Sequence, residues 1–276
     1  MNRVRGSMDK NEGLQAVAPA RPLAGYVGGK KQLARRLCAM IEATPHSLYA
    51  EAFVGMGGVF FRRRAAPKVE VINDVSRDIA TFFRVLQRHS QAFHDMLKWQ
   101  VTSRAEWDRL TETPPETLTD LERAARFLYL QRLAFGGKVA GRNFGISATT
   151  PAKFDMTKIA PMLAEAHERL AGVTIECLGW RDFLARWDRP GALFYLDPPY
   201  WGAEDYYGKA LFPRADHEDL AATLRGLKGR FILTMSDRPE TRAIYGRAGR
   251  IETVELSYQV AGADSTAPAR EIIVSG

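Results

Sequence analysis

The chain is predicted to fold as an α/β protein, a mostly parallel sheet with helices on both faces and a mainly helical insert. Three observations predict this. Short apolar runs rich in β-branched and aromatic residues fall at 48–53, 69–73, 173–177, 192–196, 230–235 and 251–256. Segments with helical spacing of apolar residues lie between them. From about 86 to 165 the strand signal disappears and helical periodicity takes over. With 276 residues the chain is long enough for a substantial core.

The elements follow in order. Residues 1–20 carry charges of both signs without an apolar stretch of signal-peptide type, and are expected to be a disordered tail. Leu33, Ala34, Leu37, Met40 and Ile41 recur at helical spacing between Lys30 and Ala43. After Asp74, the residues Ile79, Phe82, Phe83 and Leu86 form one apolar helix face, a pattern of core packing. Residues 91–133 read as helical with a break near Pro114-Pro115. Thr119 and Glu122 have the spacing of a capping box, opening a helix over 121–134. An irregular stretch over 135–154 and a helix over 158–171 complete the insert. Helices near 181–187 and 216–227 then alternate with strands, and 271–274 is expected to close the sheet. The expected division is a tail (1–20), a sheet unit (21–85 and 166–276) and an insert (86–165).

Composition excludes several classes. At 46% hydrophobic and 26% charged, the chain is of ordinary globular type. No apolar run reaches the roughly 18 residues of a membrane span. Cys38 and Cys177 cannot build a disulfide framework or a zinc cluster, and a cytoplasmic setting is expected. The histidines (46, 89, 94, 167 and 217) are scattered without ligand spacing, so no metal is assigned, and His217 reads as part of a charged first helical turn. The net charge of +7 permits a polyanionic partner. Between Gln131 and Phe154 the basic residues Arg132, Lys138, Arg142 and Lys153 stand among glycines and aromatics with no acid. Together with Asn143, this is a candidate nucleic-acid-contacting segment.

Three strings carry chemistry. Asp197-Pro198-Pro199-Tyr200 ends an apolar strand in a carboxylate, two stiff prolines and an aromatic ring. Fixed acceptors beside a flat ring suit a planar group with an exocyclic amine, such as a base turned out of a duplex. Glu51-Ala52-Phe53-Val54-Gly55-Met56-Gly57-Gly58 ends another strand in glycines that admit close approach of a ligand. Asn73-Asp74 then places an acid at the next strand end, suited to ribose hydroxyls. No Gly-Lys-Ser/Thr phosphate loop is present. Upstream, Tyr26-Val27-Gly28-Gly29-Lys30 is a glycine turn before a helix, and Lys30 can pair with a carboxylate.

In order, these strings resemble the DNA adenine methylase family of adenine-N6 DNA methyltransferases, with Phe231–Asp237 similar to a further strand of that family. The resemblance covers about 21–275, thinly across the insert. It implies a Rossmann-like, seven-stranded methyltransferase sheet, S-adenosylmethionine as donor, double-stranded DNA as partner, and a target-recognition role for the insert. Carried over by motif, Tyr26, Gly29 and Lys30 would meet the donor's methionine portion. Phe53, Gly55 and Gly57 would line its pocket, Asp74 would hold its ribose, and Asp197 would stand between donor and base. Asp197, Pro198, Pro199 and Tyr200 would be the catalytic motif, and Arg132, Lys138, Arg142 and Asn143 the candidate DNA contacts. Tyr26 stands where many relatives have Trp, and the insert departs most. N4-cytosine methylation, or a silent DNA-binding module on the same fold, are the alternatives. The target sequence and the oligomeric state are not specified, although a monomer is compatible.

Overall fold

A computed structural model describes residues 13–26, 28–146, 149–202, 212–259 and 266–276. Residues 1–12 of the expected tail lie outside the described residues, as do Tyr206 and Tyr207, two aromatics that follow the catalytic motif. The remainder of the expected tail is ordered. Gln15–Ala16 pairs antiparallel with Ala65–Ala66, and Ala20 is buried in the core. Backbone bonds from Val17 to Arg64 and from Ala20 to Phe61 hold it there, an arrangement that sequence periodicity over so few residues does not reveal.

Seven strands form the sheet: β1 (Leu48–Glu51), β2 (Val69–Asn73), β3 (Thr174–Glu176), β4 (Ala192–Leu196), β5 (Arg230–Ser236), β6 (Arg250–Gln259) and β7 (Thr266–Ser275). Their order is β3-β2-β1-β4-β5-β7-β6. β1 to β5 pair in parallel, and β7 runs antiparallel to both neighbours. This is the expected Rossmann-like sheet. Chain order runs outward in opposite directions from the β1–β4 pair. Such a switch point opens a crevice at the carboxyl ends of the two strands. Glu51 lies opposite both Ile72 and Tyr195, so three strand ends arrive together at that crevice.

Both faces are covered, which explains why β4 is buried along its whole length and reads as an unbroken apolar run. On one face Tyr49, Ile72, Leu193, Tyr195 and Ile232 pack under α1 (Ala34–Ala43), α2 (Arg77–Arg88) and the helices of the insert. On the other, Ala50, Val71, Phe194, Leu196 and Leu233 pack under α7 (Trp180–Trp187), α8 (Ala215–Arg225) and α9 (Pro239–Tyr245).

The insert contains α3 (Ser90–Leu97), α4 (Arg104–Glu112), α5 (Asp120–Leu133) and α6 (Met156–Arg169). Its expected limits fall inside α2 and α6 and mark no break in the structure. Phe93, Leu97, Phe127, Leu128, Ile159 and Leu163 belong to the same continuous core as Ile72 and Leu193 of the sheet. The capping box forms as expected. The Glu122 amide donates to Thr119 Oγ1 at 3.4 Å, and the Thr119 amide donates to the Glu122 carboxylate at 2.9 Å.

Candidate active site

At the switch point lies a cavity of about 400 Å³, within the usual range for small-ligand sites. The turns after β1, β2 and β4 line it, together with the glycine turn before α1. Of the residues expected from sequence, Tyr26, Gly29, Lys30, Phe53, Gly55, Asp74, Asp197 and Pro199 stand in its wall. Gly57, Pro198 and Tyr200 do not.

The two loop glycines serve different ends. Gly55 has φ +51° and lies against the Tyr26 ring, where a Cβ would come within 2.9 Å of it. A side chain there is excluded both by conformation and by that ring. Gly57 has φ +71° and faces Phe61, so its smallness serves core packing and not the cavity wall.

Asp74 is fixed by two backbone donors, Gly55 N–H at 3.0 Å and Ser76 N–H at 2.9 Å. Burial pushes its carboxyl up to about 6, opposed by those two bonds. Asn73 braces the opposite walls. Its amide donates to the carbonyls of Ala52 (2.9 Å) and Leu178 (3.1 Å) and accepts from the Leu178 N–H (2.9 Å). An aromatic side to the cavity was not evident in the sequence. Phe53 meets Phe212 edge-on at 5.7 Å, and Trp180 lies 6.3 Å from Phe212. Trp180 is locked by its indole N–H on Asp216 at 3.0 Å. Nothing local marks Trp180 or Phe212, which reach the cavity only through the fold.

Asp197 follows directly on β4. Its Oδ1 takes both Lys30 Nζ at 2.8 Å and the Thr234 hydroxyl at 2.8 Å. Oδ2 is committed to neither. Tyr195 Oη lies 3.1 Å from Thr234 Oγ1 and extends this chain into the core. Burial raises the proton affinity of Asp197, and Lys30 opposes that rise. Lys30 is itself almost fully buried and also donates to the Gly28 carbonyl at 2.6 Å. The pairing of Lys30 with a carboxylate thus forms, and its partner is the acid of the Asp-Pro-Pro-Tyr string. Nζ also lies 4.6 Å from the centre of the Tyr200 ring. Tyr200 donates its hydroxyl to Glu271 Oε2 at 2.6 Å. Glu51 accepts from Tyr49 Oη at 2.8 Å, and its burial pushes the carboxyl up to about 8.

The basic loop packs through Gly137 against Gly25 and Tyr26 of the cavity wall. Phe135 N–H donates to the Asn143 carbonyl at 2.9 Å and Gly145 N–H to the Leu133 carbonyl at 2.7 Å, forming a short loop whose Val139 reaches the cavity wall. Two of the four expected DNA contacts are spent inside the chain. Arg132 donates from Nε and Nη2 to the Lys153 carbonyl (3.0 and 2.8 Å) and from Nη1 to the Leu23 carbonyl. Arg142 donates to Gln131 Oε1 at 3.1 Å and to the Lys138 carbonyl at 3.3 Å. Guanidinium groups engaged in this way brace the loop. Lys138 is half-buried and Asn143 exposed. Among the described residues no group of three His, Cys, Asp or Glu is placed to hold a metal, and no helix is long and apolar enough to cross a membrane. His217 is a core residue, bonded through Nδ1 to Tyr245 Oη at 2.8 Å.

Residues 26–259 match a family described as D12 class N6 adenine-specific DNA methyltransferase. Among individual proteins, the type II methyltransferase M.CviBI of Paramecium bursaria Chlorella virus NC1A is 22% identical over 82% of this chain and 86% of its own. The type II methyltransferase M1.LlaDCHI of Lactococcus lactis subsp. cremoris is 23% identical over 65% of this chain and 66% of its own. The DNA N-6-adenine-methyltransferase of Escherichia phage P1 is 27% identical over 73% of this chain, which spans 28% of that longer protein. Among solved structures, precorrin 8w decarboxylase of Methanobacterium thermoautotrophicum aligns over 89% of each chain with 11% identity and a TM-score of 0.38.

Proposed function

We propose that Asp197, Pro198 and Tyr200 hold the target adenine in this chain, which belongs to the family of D12 class N6 adenine-specific DNA methyltransferases. The donor in this reading is S-adenosylmethionine, seated in the cavity at the switch point. Gly55 and Tyr26 form its floor, Asp74 takes the ribose hydroxyls, and the Phe53, Trp180 and Phe212 side chains flank the purine. The partner is double-stranded DNA with one adenine turned out of the stack, and a cytoplasmic setting goes with that substrate. Lys138 and Asn143 are the loop residues that remain for contact with DNA, and the insert as a whole is read as the target-recognition element.

The adenine amine is a poor nucleophile because its lone pair is delocalised into the ring. Asp197 Oδ2 and the Pro198 carbonyl would accept its two hydrogens and draw the nitrogen toward sp³ character. The lone pair then points at the sulfonium methyl for in-line transfer. This is positioning plus electrostatic stabilisation, without a covalent intermediate. Lys30 covers one face of the Tyr200 ring, so the base stacks on the other, a contact worth about 1–3 kcal/mol.

The observation that carries this reading is the division of labour on Asp197. Lys30 and Thr234 hold Oδ1, and the carboxylate opens onto the same cavity as Asp74 and Gly55. Asp197→Asn tests it more cleanly than Asp197→Ala, because it keeps an oxygen acceptor for Lys30, although either change removes that buried cation's counter-charge. If Asn keeps Oδ1 on Lys30 and Thr234, its amide nitrogen faces the adenine amine, donor against donor. Transfer of labelled methyl to unmethylated plasmid DNA should fall by about 100-fold or more, with a smaller drop in the thermal midpoint than Asp197→Ala produces. Digestion of the wild-type product should yield N6-methyladenine. Near-normal transfer by the Asn variant, or N4-methylcytosine as the product, would sink the assignment. RNA and protein acceptors run in parallel should stay unlabelled.

A further inference from the structure

β7 is an apolar strand in the sheet interior with one acid in it. Glu271 precedes Ile272, Ile273 and Val274, all buried, and is itself only 4% exposed. A carboxylate in such a strand is costly unless it is bonded. Its register places it opposite Ser236 of β5 and Val254 of β6. From there it accepts the Tyr200 hydroxyl at 2.6 Å, a distance typical of a charge-assisted bond. The direction of that bond is settled by chemistry, because burial and the nearby Asp197 and Glu271 charges hold the Tyr200 hydroxyl well above its ordinary pKa and so protonated.

The neighbouring strand does the matching work for the other half of the motif. Thr234 of β5 donates to Asp197 at 2.8 Å, and Thr234 lies opposite Ile273, two residues beyond Glu271. Adjacent strands thus each send one polar side chain to the Asp-Pro-Pro-Tyr turn, Thr234 to its acid and Glu271 to its ring. The turn leaves β4 as a loop, and two prolines stiffen its backbone without fixing the torsions of the tyrosine side chain. A hydroxyl anchored on a rigid strand fixes the direction in which the ring axis points. Lys30 covers one ring face, so the place of the other face, where a base would lie, depends on that anchor.

We propose that Glu271 is a positioning residue for methyl transfer, holding the Tyr200 ring in place through its hydroxyl. This rests on Tyr200 being the stacking residue. Removing the anchor frees the ring to swing about its Cα–Cβ bond, so the amine is less often aligned with Asp197 Oδ2 and the methyl group, while the donor cavity is untouched.

The test uses the full chain, unmethylated plasmid DNA and labelled S-adenosylmethionine. Glu271→Ala should lower kcat by about 10-fold or more and leave the KM for S-adenosylmethionine within about 2-fold. Glu271→Gln, whose amide oxygen can still accept the hydroxyl, should restore kcat to within about 3-fold of wild type. Tyr200→Phe removes the same bond from its other end. In that background Glu271→Ala should cost less than about 2-fold more, because two residues acting as one unit do not multiply. Wild-type kcat in Glu271→Ala, failure of Gln to restore it, a parallel rise in the donor KM, or full multiplication with Tyr200→Phe would each overturn the proposal. If Glu271→Ala does not fold, Tyr200→Phe decides, since unchanged kcat there means the anchor is idle. A wild-type chain that labels no DNA would instead bring down the reading of the active site.

Discussion

Asp74 shows how a single carboxylate couples the cavity to pH. Burial lifts its pKa from 3.8 to about 6 in the folded chain. Only the ionised form can accept both backbone N–H groups and still offer lone pairs to ribose hydroxyls. A ligand that uses those lone pairs favours the ionised form, so it must displace a proton when the pH is below about 6. Affinity for S-adenosylmethionine, measured by calorimetry from pH 8 to 5, should be flat above that value and weaken below it, by up to about tenfold per pH unit. The folding contribution of the same group has the opposite sign. A raised pKa favours the fold below 3.8 and loses that contribution as pH rises through about 6, so weaker binding at acid pH would not reflect unfolding through Asp74. An affinity unchanged from pH 7 to 5 would remove Asp74 from the ribose site. The motifs around Asp74 and Asp197 were legible because each is a contiguous string at a strand end. Their supports were not. Thr234 lies 37 residues from Asp197 and Glu271 lies 71 from Tyr200. A lone Thr or Glu in an apolar strand gives no sign of which loop it holds until strand order is known.

At the level of elements, legibility followed the source of each element's stability. β4 was read to the residue and β1, β2 and β5 to within two residues, because burial on both faces leaves a distinct apolar run. The helix α5 was located within one residue by its capping box. α9, seven residues opened by Pro239, was missed because its two buried side chains, Thr241 and Tyr245, make too little pattern. The internal bonds of the basic loop were hidden for a related reason. Its charge was visible, but Arg132 spends its donors on the carbonyls of Lys153, 21 residues away, and of Leu23, 109 residues away. Arg132→Met should reduce stability by about 1 kcal/mol in urea unfolding through the bonds lost to the Leu23 and Lys153 carbonyls. The slope of log Kd against log salt for a DNA duplex should stay unchanged. Lys138→Met should do the reverse, leaving stability alone and reducing that slope by about one. A shallower salt slope in Arg132→Met with stability intact would return Arg132 to the DNA interface.

Over the whole molecule, the insert and the sheet share one continuous core, so they should unfold together. Phe93, Phe127 and Ile159 from the insert share a core with Tyr49, Ile72 and Leu193 from the sheet. Polar ties cross the same boundary. Glu70 of β2 holds Arg169 of α6 through two bonds, of 2.7 and 2.8 Å, and Arg63 through a third of 2.6 Å. Gln87 of α2 donates to the Leu170 and Val173 carbonyls that lead into β3 (2.7 and 2.8 Å). Gln131 of α5 donates to the Gly25 carbonyl beside the donor cavity (2.9 Å). Breaking the insert away would expose apolar surface on both sides and leave Glu70 without one of its two buried partners, a cost of several kcal/mol from the ion pair alone. A partly folded state with only one half formed is therefore disfavoured. Two tryptophans report on the two regions, Trp107 on α4 in the insert and Trp180 on α7 under the opposite sheet face. With 5-fluorotryptophan incorporated and each resonance assigned by a Phe substitution, fluorine NMR across a urea series should show both signals vanishing at one midpoint. Two separate midpoints would mean that the insert folds as a domain of its own, and its approach to DNA would then not be tied to the donor cavity through the shared core.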